Sequence, residues 1–367
     1  MEIFSPQRVL EQAIAIQQIP SPTFKESERA EYLREGFIRE ELEDVQIDGI
    51  GNVYGRLPGA GSGPPMVISA HIDTVFPIAT DLTIQYKSGE ICGPGIGDNS
   101  LGVASLFGLL WMLRQRKAVL NGDIWLVANV GEEGLGDLCG MRAVVDRFGA
   151  SVRAYLILEG MALGQVYHRG LGSQRYRITA QTVGGHSWVD FGRPSAIHEL
   201  AGLVTRLASL PLSRNPRSTL NVGIISGGTS VNTIAAEASL ELDLRSESER
   251  ALINLVRQVQ GLISQANRPD VNVTAELIGD RPAGKIEADH PLVRLASRCL
   301  EKQGVSARLN IGSTDANIPL SRGLPAVCIG LTTGQGAHTV RESIYTEPLV
   351  RGLAQLVDVV EGVFREL

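Results

Sequence analysis

Five short stretches of this chain carry the side chains that could do chemistry. His71 and Asp73 flank Ile72 where the apolar run 66–70 ends, and alternation along a strand end puts both polar groups on one side with Ile72 on the other. A carboxylate so placed can fix an imidazole and set the tautomer of a metal-binding histidine. Asp98 follows Gly93-Pro-Gly-Ile-Gly97, whose glycines permit a sharp backbone path that delivers one carboxylate to the start of a helix. Glu132 and Glu133 follow the apolar run 124–130 and precede Gly134. Adjacent carboxylates at a strand end face different directions, so one can bind a cation while its neighbour stays a base. Glu159 closes a third apolar run, 154–158, and His338 lies in Gly336-Ala-His-Thr-Val-Arg-Glu342.

Each stretch has an ordinary reading by itself: a hydrogen-bonded histidine, a helix N-cap at Asp98 or Asn99, a solvated Glu-Glu turn. As a set, His71, Asp98, Glu133, Glu159 and His338 supply two imidazoles and three carboxylates, donors suited to a borderline-soft divalent ion such as zinc. Five ligands exceed what one tetrahedral ion takes. With Asp98 bridging, each of two ions receives three protein ligands and a shared water fits, the arrangement of co-catalytic pairs roughly 3.5–4 Å apart. Charge points the same way. Gathering these groups with Glu132 and Asp73 in one cleft costs on the order of several kcal/mol per uncompensated ion, which two divalent cations largely remove.

Other schemes fit badly. No G-x-S-x-G elbow occurs, and His198-Glu199 lacks the second histidine of a zincin helix because position 202 is glycine. Gly93, Gly95 and Gly97 do not have dinucleotide-loop spacing, and a glycosidase pair would need both carboxylates across one bond, which the adjacent Glu132 and Glu133 serve poorly. A two-metal phosphatase or nuclease lacks its arginine and lysine clamp near the acidic strand ends. His168, His198 and His290 read as surface or packing residues.

The elements that must position these groups alternate. Apolar runs ending at His71, before Glu132 and at Glu159 read as strands, and residues 101–113 have the length and apolar density of a helix. This alternation predicts an α/β fold, a mostly parallel mixed sheet flanked by helices, with ligands gathering at the carboxyl ends of its strands. After Gly170 the pattern changes: strand-like 175–181, helix-like 195–207, strand-like 220–225 and 236–244, helix-like 249–265, strand-like 271–277. That β-α-β-β-α-β order is the split βαβ arrangement, ferredoxin-like, and reads as an inserted α+β domain. The expected division is a discontinuous domain of residues 1–170 and 283–367 with an insert of residues 171–282. A buried strand at 325–330 and an amphipathic helix at 348–364 close the chain.

The 367 residues, 43% hydrophobic and 20% charged, are ordinary globular composition and too many for one simple core. Cys92, Cys139, Cys299 and Cys328 show no zinc-ribbon or redox spacing and read as buried free thiols. A net charge of −6 with no lysine or arginine run leaves no footprint for nucleic acid or an anionic membrane. Residues 1–19 carry Glu2, Arg8 and Glu11 among their apolar positions, so no signal-peptide core is expected, and no later run approaches spanning length. The cytoplasm is the expected location and a small molecule or peptide the expected partner.

At these positions the chain resembles the aminoacylase, carboxypeptidase G and peptidase T family of di-zinc exopeptidases and deacylases, which includes acetylornithine deacetylase and succinyl-diaminopimelate desuccinylase. The motifs run in order through nearly the whole chain: Ser69-Ala-His-Ile-Asp-Thr-Val75, Gly97-Asp98-Asn99, Gly131-Glu-Glu-Gly134, Leu158-Glu-Gly160, Gly184-Gly-His-Ser187, Gly312-Ser-Thr-Asp315 and Ala337-His338. The resemblance implies two zinc ions, with cobalt or manganese as substitutes, one held by His71 and Glu159, the other by Glu133 and His338, and Asp98 bridging. It implies that Glu132 is the general acid/base, that Asp73 orients His71, and that the Asp98–Asn99 peptide is cis. It further implies that the insert is a lid that forms a homodimer and brings His186 over the partner's site to stabilise the oxyanion. Arg245 and Asn232 correspond to positions that hold the substrate's carboxylate and backbone, and Gly312 to the loop lining the pocket.

Two features bear on what is cut. Asn99 stands where an acidic residue is common, which keeps the bridging ligand and removes a nearby charge. Glu159 matches family members that tend to be carboxypeptidases or deacylases, whereas the general look of the chain is close to peptidase T-like proteins. The resemblance therefore implies hydrolysis of a peptide or amide bond beside a free carboxylate, in a small peptide or N-acyl amino acid. A tripeptide-type aminopeptidase and a non-catalytic, metal-containing binding protein are the alternatives.

Overall fold

The computed structural model describes residues 5–367; Glu2, part of the opening stretch read for a leader, lies outside them. The chain divides into two compact units, Met1–Gly170 with Lys285–Leu367, and Leu171–Gly284.

In the first unit the apolar runs become the strands of one sheet, in the order Glu43–Ile47, Val53–Leu57, Ile124–Asn129, Met66–His71, Tyr155–Glu159, Ala326–Gly330, Gln165–Gly170, with Arg308–Gly312 also pairing with the last. Met66–His71 runs parallel to both Ile124–Asn129 and Tyr155–Glu159, and Ala326–Gly330 runs parallel to Tyr155–Glu159. The first two strands add antiparallel pairing at one margin. Strands covered on both faces have no solvent side, which is why Met66–His71 and Ala326–Gly330 are buried along their whole length and are nearly continuously apolar.

Helix Leu101–Arg116 has almost no polar face. It is wedged between helices Pro6–Gln17 and Leu349–Glu366 and the strands Met66–His71 and Tyr155–Glu159, so residues 101–111 are buried on every side and only its last turn meets solvent. The stretch Ile96–Arg116 is the one helical segment among the described residues long and apolar enough to cross a membrane, but its most apolar window is 94% buried inside the protein, and it is a core helix.

The second unit is a four-stranded antiparallel sheet in the order Ser218–Gly227, Glu237–Ser246, Gly172–Thr182, Val271–Arg281, with helices Ala196–Ala208 and Glu249–Ala266. Alternation places Leu240, Leu242 and Leu244 of the second strand in a core shared with Leu200, Leu203 and Leu207 of one helix and Leu255 and Val259 of the other. This is the split βαβ order that the hydrophobic periodicity predicts.

All four cysteines are free; Cys92, Cys299 and Cys328 are buried, but Cys139 is only half-buried at the start of helix Cys139–Phe148. His168 is buried with Nδ1 2.7 Å from the Ile286 carbonyl, His198 is exposed, and His290 accepts the Leu292 N–H as the cap of helix Pro291–Lys302.

Candidate metal centre

Three neighbouring parallel strands end side by side. His71 closes Met66–His71 opposite Asn129, Glu132 and Glu133 follow Asn129, and Glu159 closes Tyr155–Glu159 on the other side. Asp98 reaches this edge from a non-helical stretch before helix Leu101–Arg116, across a cis Asp98–Asn99 peptide. Neither Asp98 nor Asn99 is a helix cap. Asn99 instead donates to the Leu158 carbonyl at 2.8 Å and accepts the Gly160 N–H at 3.0 Å, tying the Asp98 loop to the strand that carries Glu159. The approach leaves no room for side chains: a Cβ on Gly160 would stand 2.0 Å from the Gly97 carbonyl oxygen, and one on Gly102 2.1 Å from Asn99 Oδ1.

The two oxygens of Asp98 face different histidines. Oδ1 lies 3.2 Å from His71 Nε2, and Oδ2 lies 3.1 Å from His338 Nε2. Glu159 Oε2 is 3.9 Å from His71 Nε2, and Glu133 Oε1 is 3.1 Å from His338 Nε2. One donor atom each from His71, Asp98 and Glu133 lie within 4.8 Å of one another. The donors thus fall into two groups of three that share Asp98. Bonds of 2.0–2.1 Å to a tetrahedral ion put neighbouring donor atoms roughly 3.3–3.4 Å apart, close to three of these four separations. The residues present fit a pair of divalent cations.

Electrostatics agree. Burial alone would push the His71 imidazole down, but Asp73, Asp98, Glu159 and Glu132 hold it well above its ordinary value. Asp98 and Glu133 push His338 up to about 10. Burial, joined by the charges of Asp98 and Glu132, drives Glu159 well above the carboxylate range. Asp98, despite its burial, is held well below that range by His338 and His71. Without cations the cluster recruits protons to balance its carboxylates, and cations would displace them.

Asp73 does more than face its histidine. His71 Nδ1 is 3.1 Å from the Asp73 backbone carbonyl and 3.5 Å from its carboxylate Oδ1. Donation from Nδ1 leaves the lone pair on Nε2, the atom that faces Asp98 and Glu159. The buried Asp73 carboxylate accepts the backbone N–H groups of Glu132 and Glu133 at 3.0 and 2.9 Å and the Thr23 hydroxyl at 2.9 Å. Glu132 is itself buried, close enough to His71 and Glu159 to bear on the charge of both.

Gly312 ends the strand Arg308–Gly312 in the same unit, packed so that a Cβ would meet the Tyr167 ring at 2.8 Å. The remaining candidates lie in the second unit. His186 is exposed, and its Nδ1 accepts the backbone N–H of Trp188 at 3.2 Å and of Val189 at 3.4 Å, so a neutral ring carries its proton on Nε2 as a donor. Asn232 is exposed in the turn beside it; its backbone carbonyl accepts the Ser187 N–H at 3.0 Å, and its side-chain oxygen accepts the Ser230 hydroxyl at 3.0 Å. Arg245 uses its Nε–H on Asp243 at 2.7 Å.

Several residues that act on the centre carry no local signal as such. Thr23, in the turn between the two amino-terminal helices, and Arg29, in helix Ser27–Arg39, hold the His71 strand end; the buried Arg29 guanidinium donates to the carbonyls of Ile19 and Ile72. Asn129 donates to the buried Asp315 carboxylate at 2.7 Å. Glu342 is fully buried behind Asp98, and burial together with the Asp98 charge pushes its carboxyl up to about 7. Asp315 and Glu342 stand in the same runs as Gly312 and His338, the one hint the sequence holds.

The model of the peptidase family M20/M25/M40 matches residues 67–362. The uncharacterized protein YqjE of Bacillus subtilis is 23% identical over 370 residues, 96% of this chain and 98% of that one. A tripeptidase structure from Staphylococcus aureus superposes with a TM-score of 0.85 at 23% identity, covering both chains fully. The Bacillus subtilis YXEP protein, described as a dinuclear metal binding peptidase of the M20 family, superposes with a TM-score of 0.71 at 17% identity over 99% of each chain.

Proposed function

This chain belongs to peptidase family M20/M25/M40, and from that premise we propose that it hydrolyses a peptide or amide bond beside a free carboxylate, as an exopeptidase or N-acyl-amino-acid deacylase. The observation that carries this reading is Asp98, whose two oxygens face His71 and His338 so that two three-donor groups share one carboxylate.

His71, Glu159 and Asp98 would hold one ion, and Glu133, His338 and Asp98 the other, zinc being the metal best suited to these donors. The bound ions would acidify a shared water and polarise the scissile carbonyl. Glu132 takes a proton from the attacking water and returns it to the leaving nitrogen. Asp73 holds the Glu132 backbone at its N–H, so that the base keeps its place as the charges around it change. His186, its Nε2–H available as a donor, would reach over the partner's site to stabilise the tetrahedral oxyanion, Arg245 and Asn232 would hold the substrate's carboxylate and backbone, and the Gly312 loop would line the pocket.

The second unit would serve as a lid and as the contact of a homodimer. Its strand Ser218–Gly227 is an open sheet edge bearing the exposed Ile224 and Ile225, which supports that role. A small peptide or N-acyl amino acid is the substrate class and the cytoplasm the proposed location. A tripeptide-type aminopeptidase is the second reading, and the likeness to the Staphylococcus aureus tripeptidase supports a tripeptide as its substrate.

Assay of dipeptides, tripeptides and N-acyl amino acids with added Zn²⁺, Co²⁺ or Mn²⁺ tests the proposal. Turnover of one class, abolished by Glu132→Ala, is the expected result. Tight binding of these compounds without turnover would identify a binding protein instead.

A further inference from the structure

The loop that carries His338 reaches Asp98 twice. From the side-chain end, His338 Nε2 faces Asp98 Oδ2 at 3.1 Å. From behind, Glu342 Oε1 accepts the backbone N–H of Gly97 at 2.7 Å and of Asp98 at 2.8 Å. Glu342 is fully buried, and its second oxygen, Oε2, has no hydrogen-bond partner among the described residues. A carboxylate that uses one oxygen for two backbone donors and leaves the other unpartnered is acting as an acceptor of a given reach.

The two grips are built as one piece. Between them the chain folds into a compact turn, with the Glu342 N–H bonded to the Thr339 carbonyl at 3.0 Å and the Thr339 N–H to the Gly336 carbonyl at 3.0 Å. The Glu342 carbonyl accepts the Gly93 N–H at 2.9 Å, and Ser343 pairs in register with Cys92, so the strand leading into the Asp98 loop is tied to the strand leaving Glu342.

We propose that Glu342 is a positioning residue that sets the bridging geometry of Asp98 through its reach to the Gly97 and Asp98 N–H groups rather than through its charge. This rests on Asp98 being the shared ligand of two ions. An amide places an acceptor oxygen where Oε1 stands, so Glu342→Gln keeps the grip, while its buried NH2 finds no acceptor at the position of Oε2 and lowers the thermal stability of the variant rather than its metal geometry. Glu342→Asp keeps the charge but is one methylene short, and Glu342→Ala leaves two buried N–H groups without acceptors.

The test is titration of the metal-free wild type and the three variants with Co²⁺, reading the visible absorption of the bound ion and the stoichiometry, with circular dichroism and thermal unfolding of each metal-free protein alongside. Glu342→Gln is expected within about threefold of wild-type affinity with the same spectrum, whereas Glu342→Asp and Glu342→Ala bind ~10–100-fold more weakly with an altered spectrum. Should Glu342→Ala fail to fold, the comparison of Gln with Asp decides alone. Wild-type affinity in Glu342→Asp, or a loss confined to Glu342→Gln, overturns the proposal while the two-ion reading stands. A wild type that binds no cobalt overturns both.

Discussion

The carboxylate of Asp73 accepts the backbone N–H of Glu132 at 3.0 Å, binding the strand end that carries His71 to the loop that carries the proposed base. Asp73→Ala removes that acceptor, the one for the Glu133 N–H and the one for the Thr23 hydroxyl together. The expected loss in kcat/KM at saturating metal is ~10–100-fold. Thr23→Val, which deletes one of the three bonds, should cost less than Asp73→Ala; steady-state kinetics of the pair would expose an equal loss.

Glu132→Gln keeps the shape of the side chain and removes its basicity. A fall in kcat of ~10²–10⁴-fold with two ions still bound is expected. Parallel measurement of turnover and metal content separates loss of the base from loss of the metals.

Metal uptake should release protons. In the metal-free protein Asp98 and Glu133 raise His338 to about 10, so at neutral pH its ring is protonated and must lose a proton before Nε2 can bind a cation. Affinity therefore weakens as pH falls. For the metal-free fold the sign is the reverse: a raised folded pKa means the pairing stabilises fully below the unfolded value of about 6.5, and that contribution is lost as pH rises through about 10. Calorimetric titration in buffers of different ionisation enthalpy counts the protons, and none released at pH 7 would contradict this assignment.

Arg29 is buried, with its guanidinium on the carbonyls of Ile19 and Ile72, and burial pushes it down to about 10. Arg29→Met leaves those carbonyls without their donor and should lower unfolding stability by ~2–4 kcal/mol, read from urea midpoints at unchanged slope.

Asp358 joins helix Leu349–Glu366 to Lys302 at 2.8 Å and Arg116 at 3.1 Å. Burial opposes ionisation, yet these two cations hold its carboxyl below the ordinary value. A depressed folded pKa stabilises above the unfolded value and is lost as pH falls through the folded one. Asp358→Asn should cost about 1 kcal/mol at neutral pH, since both partners are partly exposed, with the difference from wild type shrinking below about pH 4 in thermal melts.

The character of both sheets and the places of His71, Glu132, Glu133 and Glu159 at strand ends are legible along the chain because they rest on local periodicity, whereas Asp98 and His338 stand in loops and are singled out by the ordered set of motifs. Apolar runs without a polar face mark strands covered on both sides, and a polar residue closing such a run falls at the sheet's carboxyl edge, as His71 and Glu159 do. Asn99 shows the limit. Its type and place suggest a helix cap, but its amide is spent on Leu158 and Gly160, a contact that exists only once two distant segments are side by side. Arg29, in a helix of ordinary charged residues, likewise reveals its burial only in the fold.

By itself the sequence determined which chemistry is available: two imidazoles and a set of carboxylates at strand ends and loops, with no nucleophile elbow and no basic face. The tertiary structure decided how they meet. Sheet order is set by which faces bury together, and it places Met66–His71 between Ile124–Asn129 and Tyr155–Glu159, so that His71 stands within reach of Asp98 and Glu159. The second oxygen of Asp98 and the grip of Glu342 depend on a loop from the far end of the chain, and no local spacing encodes where such a loop returns.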